Sequence, residues 1–260
     1  QRQMCIRDSP RCGEKFASQI SQAVESLKSK NQKLCAFIAE TFPSVGGQII
    51  TPKGYLDEVY KLIRKQGGLC IADEVQTGLG RLGDYYFGFE YQKVCPDIVV
   101  LGKPIGNGHP IGVVATTEKI ANSFDNGIEF FSTFGGSTLS CAIAKEVIEI
   151  VDQEGLQSNA QEMGIKLKKG LINLQEKYQS IGDVRGMGLF VGIEFIDKTG
   201  KENTRLCTFV KNRMREYRIL VGSEGPKDNV LKIRPPLSIE ADDIDMIIET
   251  LDIILAEVDL

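Results

Sequence analysis

Short apolar runs that stop abruptly at polar or charged residues dominate the first half of this chain. Three such runs, at 34–39, 69–72 and 97–101, have the length of buried β-strands. Apolar residues at 14–30 and 55–66 recur instead with helical spacing, and a glycine pair stops the second of these segments. This alternation of helices and buried strands predicts an α/β fold with a largely parallel sheet.

Two of the predicted strands end in charged residues. Asp73 follows the second apolar run, and Gly102-Lys103-Pro104 follows the third. Parallel sheets present functional groups at the carboxyl ends of their strands, so both charged side chains are expected at one edge of the sheet. Asp73 and Lys103 are therefore the first candidates for a functional site.

The second half of the chain predicts a different arrangement. Two long helical patterns come first, at 139–152 and 156–178. Beyond them the sequence predicts a strand at 188–196, a helix at 203–217, a strand at 230–233 and a closing helix at 241–258. We therefore predict that residues 10–155 form part of a large domain and that residues 156–260 form a small α+β domain.

The first nine residues, QRQMCIRDS, are interpreted separately. They show neither helical nor strand periodicity, and they resemble the translated adapter sequence that contaminates assembled sequencing reads. We exclude Gln1 to Ser9 from the predicted fold, and we expect the protein to begin upstream of this sequence.

Composition and charge narrow the possible partners. The chain has 31 basic and 35 acidic residues and no long run of either sign, which argues against nucleic acid and favours a small-molecule partner. No apolar stretch approaches the roughly 20 residues that span a bilayer. The seven cysteines form no C-x-x-C pair, so no metal site is predicted and a reduced, cytoplasmic protein is expected.

Lys103 lies at the end of a predicted buried strand, where desolvation disfavours the ammonium form and makes the amine nucleophilic. Schiff-base chemistry exploits this tendency. A plainer interpretation is that Lys103 extends to solvent or pairs with Glu74. Asp73 favours the chemical interpretation, because a buried carboxylate needs a cationic partner and a protonated pyridine nitrogen would serve.

The glycines near Lys103 do not form a phosphate-binding loop of a known kind. No G-x-x-x-x-G-K-[ST] sequence is present, and GNGHPI at 106–111 lacks the third glycine of a dinucleotide-binding motif. These glycines are better explained as positions where the backbone approaches a flat ring closely.

Three motifs in the expected order resemble the class III aminotransferase family: ADEVQTGLGR at 72–81, the Gly-Lys-Pro step at 102–104 and STFGGSTLSCA at 132–142. Each motif is weak alone, but the three together are specific, and the resemblance extends from about residue 34 to the C-terminus. It implies a pyridoxal-phosphate (PLP) enzyme of fold type I. This chain would supply the C-terminal part of the large, mainly parallel-sheet domain and a small α+β domain.

The resemblance implies a role for each residue near the strand ends. Lys103 would form the Schiff base with PLP, and Asp73 would keep the pyridine nitrogen protonated so that the ring can accept electrons. Val75 would pack on the ring, and Gln76 would hydrogen-bond the phenolic oxygen of the cofactor. The structural alternatives are that Val75 belongs to the core and that Gln76 is a turn residue.

The third motif implies a homodimer. Thr133, together with Ser132, would contact the cofactor phosphate bound to the other subunit. The structural alternative is that this pair caps the helix predicted at 139–152. His109, the only histidine, is interpreted as structural.

Three further stretches resemble one branch of the family, the ethanolamine-phosphate and phosphohydroxylysine phospho-lyases. They are IAETFPSVGGQIITPKGY at 38–55, KPIGNGHPIG at 103–112 and NVLKIRPPL at 229–237. In ω-aminotransferases an arginine before the proline turn binds a carboxylate, whereas Lys232 stands in that place here. Arginine offers a planar fork and lysine a point charge suited to phosphate, so the aminotransferase interpretation is weakened.

The same resemblance also suggests residues that would bind the substrate. Lys232 and Arg234 are candidate contacts for an anionic group. Glu40 matches the glutamate that pairs with the aminotransferase arginine when no substrate is bound. We therefore hypothesise a resting Glu40–Lys232 pair, with a surface ion pair as the structural alternative.

Three functional hypotheses remain open. A phospho-lyase would eliminate phosphate from an amino-alcohol phosphate such as phosphoethanolamine and give an aldehyde and ammonia. An ω-aminotransferase would pass the amino group to a 2-oxo acid, with Lys103 transferring protons in both reactions. The third hypothesis is a truncated, inactive binding or scaffold protein, and the retention of Lys103 and Asp73 argues against it.

Overall fold

The computed structural model describes residues 12–258, so the proposed adapter segment lies outside the described residues. The chain divides into two compact units. Unit 1 comprises residues 12–41, 51–79 and 87–150, and unit 2 comprises residues 42–50, 80–86 and 151–258. The domain division proposed at residue 155 stays a prediction, and it did not foresee that two short internal segments group with unit 2.

Unit 1 is built around a four-stranded sheet. Its elements are α1 (Cys12–Ser29), β1 (Ala36–Glu40), α2 (Tyr55–Lys65), β2 (Leu69–Asp73), α3 (Gly88–Tyr91), β3 (Ile98–Leu101), a 3-10 helix (Lys103–Gly106), β4 (Val113–Thr116) and α4 (Glu118–Phe124). The strand order is β1-β2-β3-β4, with the first three strands parallel and β4 antiparallel to β3. The predicted α/β fold with a largely parallel sheet is confirmed.

The register of this sheet brings the ends of the parallel strands together. Glu40 pairs with Asp73, and Asp73 pairs with Val100. β3 ends at Leu101, immediately before the segment that carries Lys103. The strand-end carboxylate and lysine therefore lie on neighbouring strands at the same edge of the sheet.

A small apolar core joins α1, α2 and the sheet of unit 1. Its buried members are Ala17, Leu56, Val59, Tyr60, Ile63 and Cys70. Four of these lie on α2 at helical spacing, which is why the helix was predictable from its apolar pattern. The Tyr60 ring lies edge-on to Phe37 of β1, with the ring centroids 6.4 Å apart.

Helix α5 (Thr138–Gln153) begins in unit 1 and ends in unit 2. The remaining elements of unit 2 are α6 (Leu156–Lys177), β5 (Ile181–Met187), β6 (Phe190–Phe195), α7 (Thr204–Glu216), β7 (Gly222–Glu224), β8 (Val230–Ile233) and α8 (Ala241–Ala256). The strands form an antiparallel sheet in the order β5-β6-β8-β7. Helices α6, α7 and α8 bury apolar side chains together with this sheet, which gives the α+β content expected for the C-terminal part.

The structure corrects the single strand expected at 188–196. β5 and β6 form an antiparallel hairpin, and Gly188 lies between them with φ +53°. β5 lacks an apolar run because its sequence is IGDVRGM. Buried Arg185 instead forms ion pairs with Asp183 at 2.8 Å and Glu194 at 2.6 Å. Ion pairs thus replace apolar alternation in β5. The short strands β4 and β7, with four and three residues, were not predicted either.

The glycine-rich segment 80–86 groups with unit 2 because it packs closely on α6. A Cβ atom on Gly83 would lie 2.7 Å from the Gln161 backbone, and one on Gly80 would lie 2.9 Å from the Gln157 side chain. Both glycines have positive φ, which favours glycine further. The Gln157 side-chain amide also donates to the Gly83 carbonyl at 2.8 Å.

No helix within residues 12–258 has both the length and the apolar character needed to cross a membrane. The expected cytoplasmic location and the expected absence of a nucleic-acid partner both stay predictions.

Candidate active site

Asp73 ends β2 at the edge of the sheet where the parallel strands finish. Its Oδ1 accepts a hydrogen bond of 3.0 Å from the backbone N–H of Val75, so the carboxylate is fixed by the turn that follows the strand. Among the described residues, no basic side chain forms an ion pair with Asp73. The second carboxylate oxygen can therefore accept a hydrogen bond from a cationic ligand.

Glu74, the next residue, has the opposite character because it is fully buried. Its carboxylate accepts hydrogen bonds from the hydroxyls of Thr41 and Thr77 and from the backbone N–H groups of Gly88 and Phe89, the latter two at 2.9 Å. Burial nevertheless raises the pKa of the Glu74 carboxyl. This side chain anchors the loop after β2 to the start of α3, a role that the sequence interpretation missed.

Lys103 begins the 3-10 helix after β3, and its side chain is exposed. Its backbone φ of +29° lies outside the regions that lysine normally adopts, which marks a strained position of the kind found at functional sites. Of the two structural alternatives for Lys103, the pair with Glu74 is not formed, because hydroxyl and amide donors occupy the Glu74 carboxylate and no described ion pair includes Lys103. The other alternative, that Lys103 extends to solvent, agrees with its exposed side chain.

Gly102 allows Val75 to lie next to the strand end that carries Lys103. A Cβ atom on Gly102 would lie only 3.3 Å from Cγ1 of Val75, so a larger residue would press on the valine side chain. The backbone of Gly102 is extended, which makes this close approach, rather than an unusual φ, the reason for glycine. Val75 therefore lies close to the lysine-bearing segment, while its role toward a cofactor stays a prediction.

These residues fit a pyridoxal ring. Asp73 offers a carboxylate to a cationic nitrogen, Val75 offers an apolar side chain, and Lys103 offers an exposed amine at the same edge of the sheet. Gln76 is partly buried in the loop directly after Val75, where an amide could reach a cofactor oxygen. The chemistry of the donor set therefore matches the predicted cofactor, while the individual roles stay predictions.

Ser132 and Thr133 lie in an exposed loop of unit 1. The Ser132 hydroxyl accepts a hydrogen bond of 2.9 Å from the Gly135 backbone N–H, and Thr133 is exposed. The alternative that this pair caps α5 is wrong, because the hydroxyl of Ser137 accepts from the Ser140 N–H at 3.5 Å in the first turn. Contact of Ser132 and Thr133 with a second subunit's cofactor stays a prediction.

His109 lies 2.8 Å from the Ser140 hydroxyl, measured from Nε2 to Oγ. The contact ties the segment after the 3-10 helix to the first turn of α5. A neutral imidazole and a hydroxyl can share such a hydrogen bond in either direction. This arrangement agrees with the structural role predicted for the histidine.

Lys232 lies on β8 in unit 2, and its ammonium forms an ion pair with Glu224 of β7. Both side chains are largely buried, with exposed fractions of 18 % and 17 %. The expected partner Glu40 belongs to unit 1, so a Glu40–Lys232 pair stays a prediction. The Glu224 contact was not anticipated, because β7 is too short for its pairing with β8 to be read from the sequence.

Arg81 is a second group that the sequence interpretation left without a role. Its guanidinium donates to the carbonyl of Pro235 at 2.8 Å and to that of Leu189 at 3.3 Å. Burial and, to a smaller extent, the charge of Arg234 lower the pKa of Arg81 to about 10. Arg81 thus fixes the proline turn directly after Arg234 and adds positive charge beside it.

A lysine and a carboxylate at the ends of neighbouring parallel strands agree with the class predicted from the sequence, the PLP-dependent enzymes of fold type I. The family described as aminotransferase class-III matches residues 7–255, and the chain belongs to this family. Its members are PLP-dependent enzymes, so the predicted family, fold class and cofactor are confirmed.

Individual relatives carry two different activities in their names. The Drosophila melanogaster protein named alanine–glyoxylate aminotransferase 2-like is 45% identical over 237 residues, which cover 90% of this chain and 48% of that protein. The Caenorhabditis elegans ethanolamine-phosphate phospho-lyase homolog 1 is 38% identical over 249 residues, which cover 94% of this chain and 53% of that protein. The chain spans about half the length of these curated relatives.

A solved structure of a phospholyase also matches the chain. An Arthrobacter phospholyase in complex with phosphoethanolamine matches with a TM-score of 0.92 and 37% sequence identity. The match covers 96% of this chain and 60% of that chain. Relatives named as aminotransferases and as phospho-lyases thus both share the fold, and the fold alone does not separate the two reactions.

Proposed function

We propose that the protein is a PLP-dependent phospho-lyase that removes phosphate from an amino-alcohol phosphate such as phosphoethanolamine, giving an aldehyde, ammonia and phosphate. The observation that carries this proposal is the lysine at position 232, where ω-aminotransferases have an arginine for a substrate carboxylate. The match to a phospholyase bound to phosphoethanolamine supports it. Lys232 and Arg234 are the proposed contacts for the substrate's anionic group.

Lys103 and Asp73 are the proposed catalytic residues. When bound, PLP supplies an electron sink for the carbon that bears the substrate amine. Asp73 keeps a positive charge on the ring nitrogen through its carboxylate, while Val75 and Gln76 hold the ring face and the phenolic oxygen. Lys103 would hold the cofactor, and its amine, when free, would take the proton from that carbon.

The bond changes balance without an oxidant or a reductant. The substrate loses a proton to Lys103, and the bond between the neighbouring carbon and the phosphate oxygen breaks as the electron pair leaves with phosphate. The carbon that lost the phosphate would then regain a proton from Lys103, and water would release the carbon skeleton as an aldehyde and the nitrogen as ammonia. Exposure of Lys103 at the strand edge is compatible with an amine that must exchange between two partners.

A homodimer completes the proposed site. Thr133, with Ser132, contacts the cofactor phosphate held by the other subunit. The exposed position of both residues supports this proposal, since neither is committed to the interior of unit 1. The exposed rings of Phe131 and Phe134 beside them provide apolar surface of the kind that subunit interfaces bury.

An ω-aminotransferase is the second candidate function. The relative named alanine–glyoxylate aminotransferase 2-like favours it, at 45% identity. All residues proposed for the cofactor would serve this reaction equally. The two candidates separate only at the anion contacts on β8 and in the fate of the amino group.

Incubation of the PLP-loaded protein with phosphoethanolamine tests the proposal. We expect release of phosphate and acetaldehyde in equal amounts, measured by a colorimetric phosphate assay and an aldehyde dehydrogenase coupled assay. A Lys103→Ala variant is the control for enzyme-dependent release. Accumulation of pyridoxamine phosphate without free phosphate would instead establish the aminotransferase.

A further inference from the structure

The position of Lys232 is shaped by a glycine on the neighbouring strand. Gly222 of β7 pairs with Lys232 of β8 in the sheet register. A Cβ atom on Gly222 would lie 3.1 Å from Cε and 3.8 Å from Nζ of Lys232. The lysine stem therefore lies across the glycine, and the absence of a side chain there lets it run along the edge strand.

The Lys232 side chain runs toward Glu224, so its ammonium contacts the Glu224 carboxylate. Glu224 follows Gly222 by two positions on β7, so both residues face the same side of the sheet. The ion pair is only partly exposed, and water screens it less than it screens a surface pair. The Lys232 ammonium has three N–H donors, and within residues 12–258 its side-chain hydrogen bond goes to Glu224.

We propose that Glu224, in place of the Glu40 suggested by the family resemblance, is the resting counter-ion of Lys232, which the anionic group of the substrate must displace. This inference rests on the proposed function, since it assigns Lys232 to that group. A phosphate dianion brought to Lys232 meets the negative charge of Glu224 at close range, which opposes binding. Glu224 therefore sets how tightly this site holds phosphate and disfavours ligands whose anionic group is too weakly charged to displace it.

The surroundings of Lys232 support an anion site. Arg234 follows Lys232 by two positions, and buried Arg81 bonds the carbonyl of the next residue, Pro235. Two guanidinium groups therefore lie near the end of β8. A carboxylate that neutralises Lys232 at rest reduces the repulsion among these cations until a ligand arrives.

Titration of the PLP-loaded protein with inorganic phosphate tests the inference, because bound PLP keeps free phosphate out of the cofactor phosphate site. We expect Glu224→Gln to lower the Kd for phosphate about tenfold and Lys232→Gln to raise it about tenfold, measured by isothermal titration calorimetry. Asp245→Asn is the matched control. It removes one negative charge from another ion pair of unit 2, Lys166–Asp245 at 2.7 Å, and should leave the Kd unchanged.

A double variant separates the exchange from a general charge effect. In the Lys232→Gln background, Glu224→Gln should change the Kd by less than about threefold, because the pair it breaks no longer exists. Glu224→Asp keeps the charge and withdraws it by one methylene, so a smaller tightening is expected there. This second variant keeps the test valid if Glu224→Gln lowers the melting temperature.

Two results would overturn the inference. One is an unchanged or weaker phosphate affinity in folded Glu224→Gln or Glu224→Asp protein, and the other is an equal tightening with and without Lys232. Failure of the proposed function would look different. A wild-type protein that releases no phosphate from phosphoethanolamine, while Glu224→Gln still tightens phosphate binding, would discard the lyase reaction and retain the exchange of anions at Lys232.

Discussion

The larger buried apolar core lies in unit 2, whereas the most exposed aromatic rings lie in unit 1. The main core cluster of unit 2 contains 23 buried residues and that of unit 1 contains 6. The four most exposed phenylalanines among residues 12–258, with exposed fractions of 63–85 %, all belong to unit 1: Phe124, Phe130, Phe131 and Phe134.

The difference bears on function because the proposed cofactor residues lie in unit 1, which has the smaller buried core. Lys103 and Asp73 stand at the edge of a sheet whose outer strands expose Ile38 and Val114. Subunit interfaces bury apolar surface of this kind. Unit 2 contributes the proposed anion contacts from a sheet that its own helices cover.

The largest effect is expected from Lys103→Ala in unit 1. Loss of the amine removes the group that holds PLP and transfers the proton, so activity should fall by at least about 10²- to 10⁴-fold. Borohydride reduction followed by peptide mass spectrometry should label Lys103 in the wild type and give no label in the variant. Lys119→Ala, an exposed lysine of α4, serves as the control. Equal labelling of the Lys103→Ala protein would refute the assignment.

The next largest effect is expected in the core of unit 2. Leu251 of α8 is fully buried, so Leu251→Ala should reduce the free energy of unfolding by about 2–5 kcal/mol through lost burial and the cavity left behind. Chemical denaturation measures the change. Met246→Ala, at an exposed position of the same helix, controls for helix propensity and should change the free energy of unfolding far less. A loss below 1 kcal/mol at Leu251 would contradict the picture of a closed core.

The apolar pattern of each element decided which parts of the fold were predictable. α2 and β2 were found because apolar spacing and an apolar run report burial directly. β5 was missed because it contains no apolar run. Its buried Arg185 is stabilised by ion pairs with Asp183 and Glu194. The assignment of segments 42–50 and 80–86 to unit 2 depends on contacts distant in sequence, such as the Arg185 donation to the Gly47 carbonyl at 2.8 Å.

The candidate site was predictable to the extent that it lies at strand ends. Asp73 and Lys103 each follow an apolar run directly, and the parallel register brings them to one edge. Glu74 and Glu224 were missed for a shared reason. Their partners are hydroxyls, backbone amides or a residue of another strand, and no local sequence pattern encodes such contacts.

Glu74→Gln is expected to destabilise unit 1 by a moderate amount. Four donors converge on the carboxylate, and a glutamine would turn an N–H group toward some of them, at a cost of about 1–3 kcal/mol near neutral pH. Denaturation midpoints measure the loss. Glu118→Gln at the exposed start of α4 is the control. An undiminished stability would mean that the loop after β2 does not depend on this anchor.

The free energy of unfolding of Glu74→Gln should also depend on pH differently from that of the wild type. Burial raises the pKa of Glu74 in the folded chain above its unfolded value, so folding favours the protonated form. The stabilisation from this shift is fully present below the unfolded pKa and is lost as the pH rises through the folded pKa. The free energy of unfolding of the wild type should therefore fall more steeply than that of Glu74→Gln as the pH is raised across this window. Parallel pH profiles would contradict the raised pKa.

The smallest effect on folding, but a visible one on assembly, is expected from the exposed rings of unit 1. Phe131 and Phe134 are 80 % and 85 % exposed, so replacing both with serine should change the free energy of unfolding of the isolated chain by no more than about 0.5 kcal/mol. If these rings form part of the proposed dimer interface, sedimentation velocity should show a shift from dimer to monomer. Phe209→Ser on α7 of unit 2, at 39 % exposure, is the control and should leave the assembly unchanged. An unaltered dimer in the double variant would place the interface elsewhere, and a large loss of folding stability would show that unit 1 uses these rings internally.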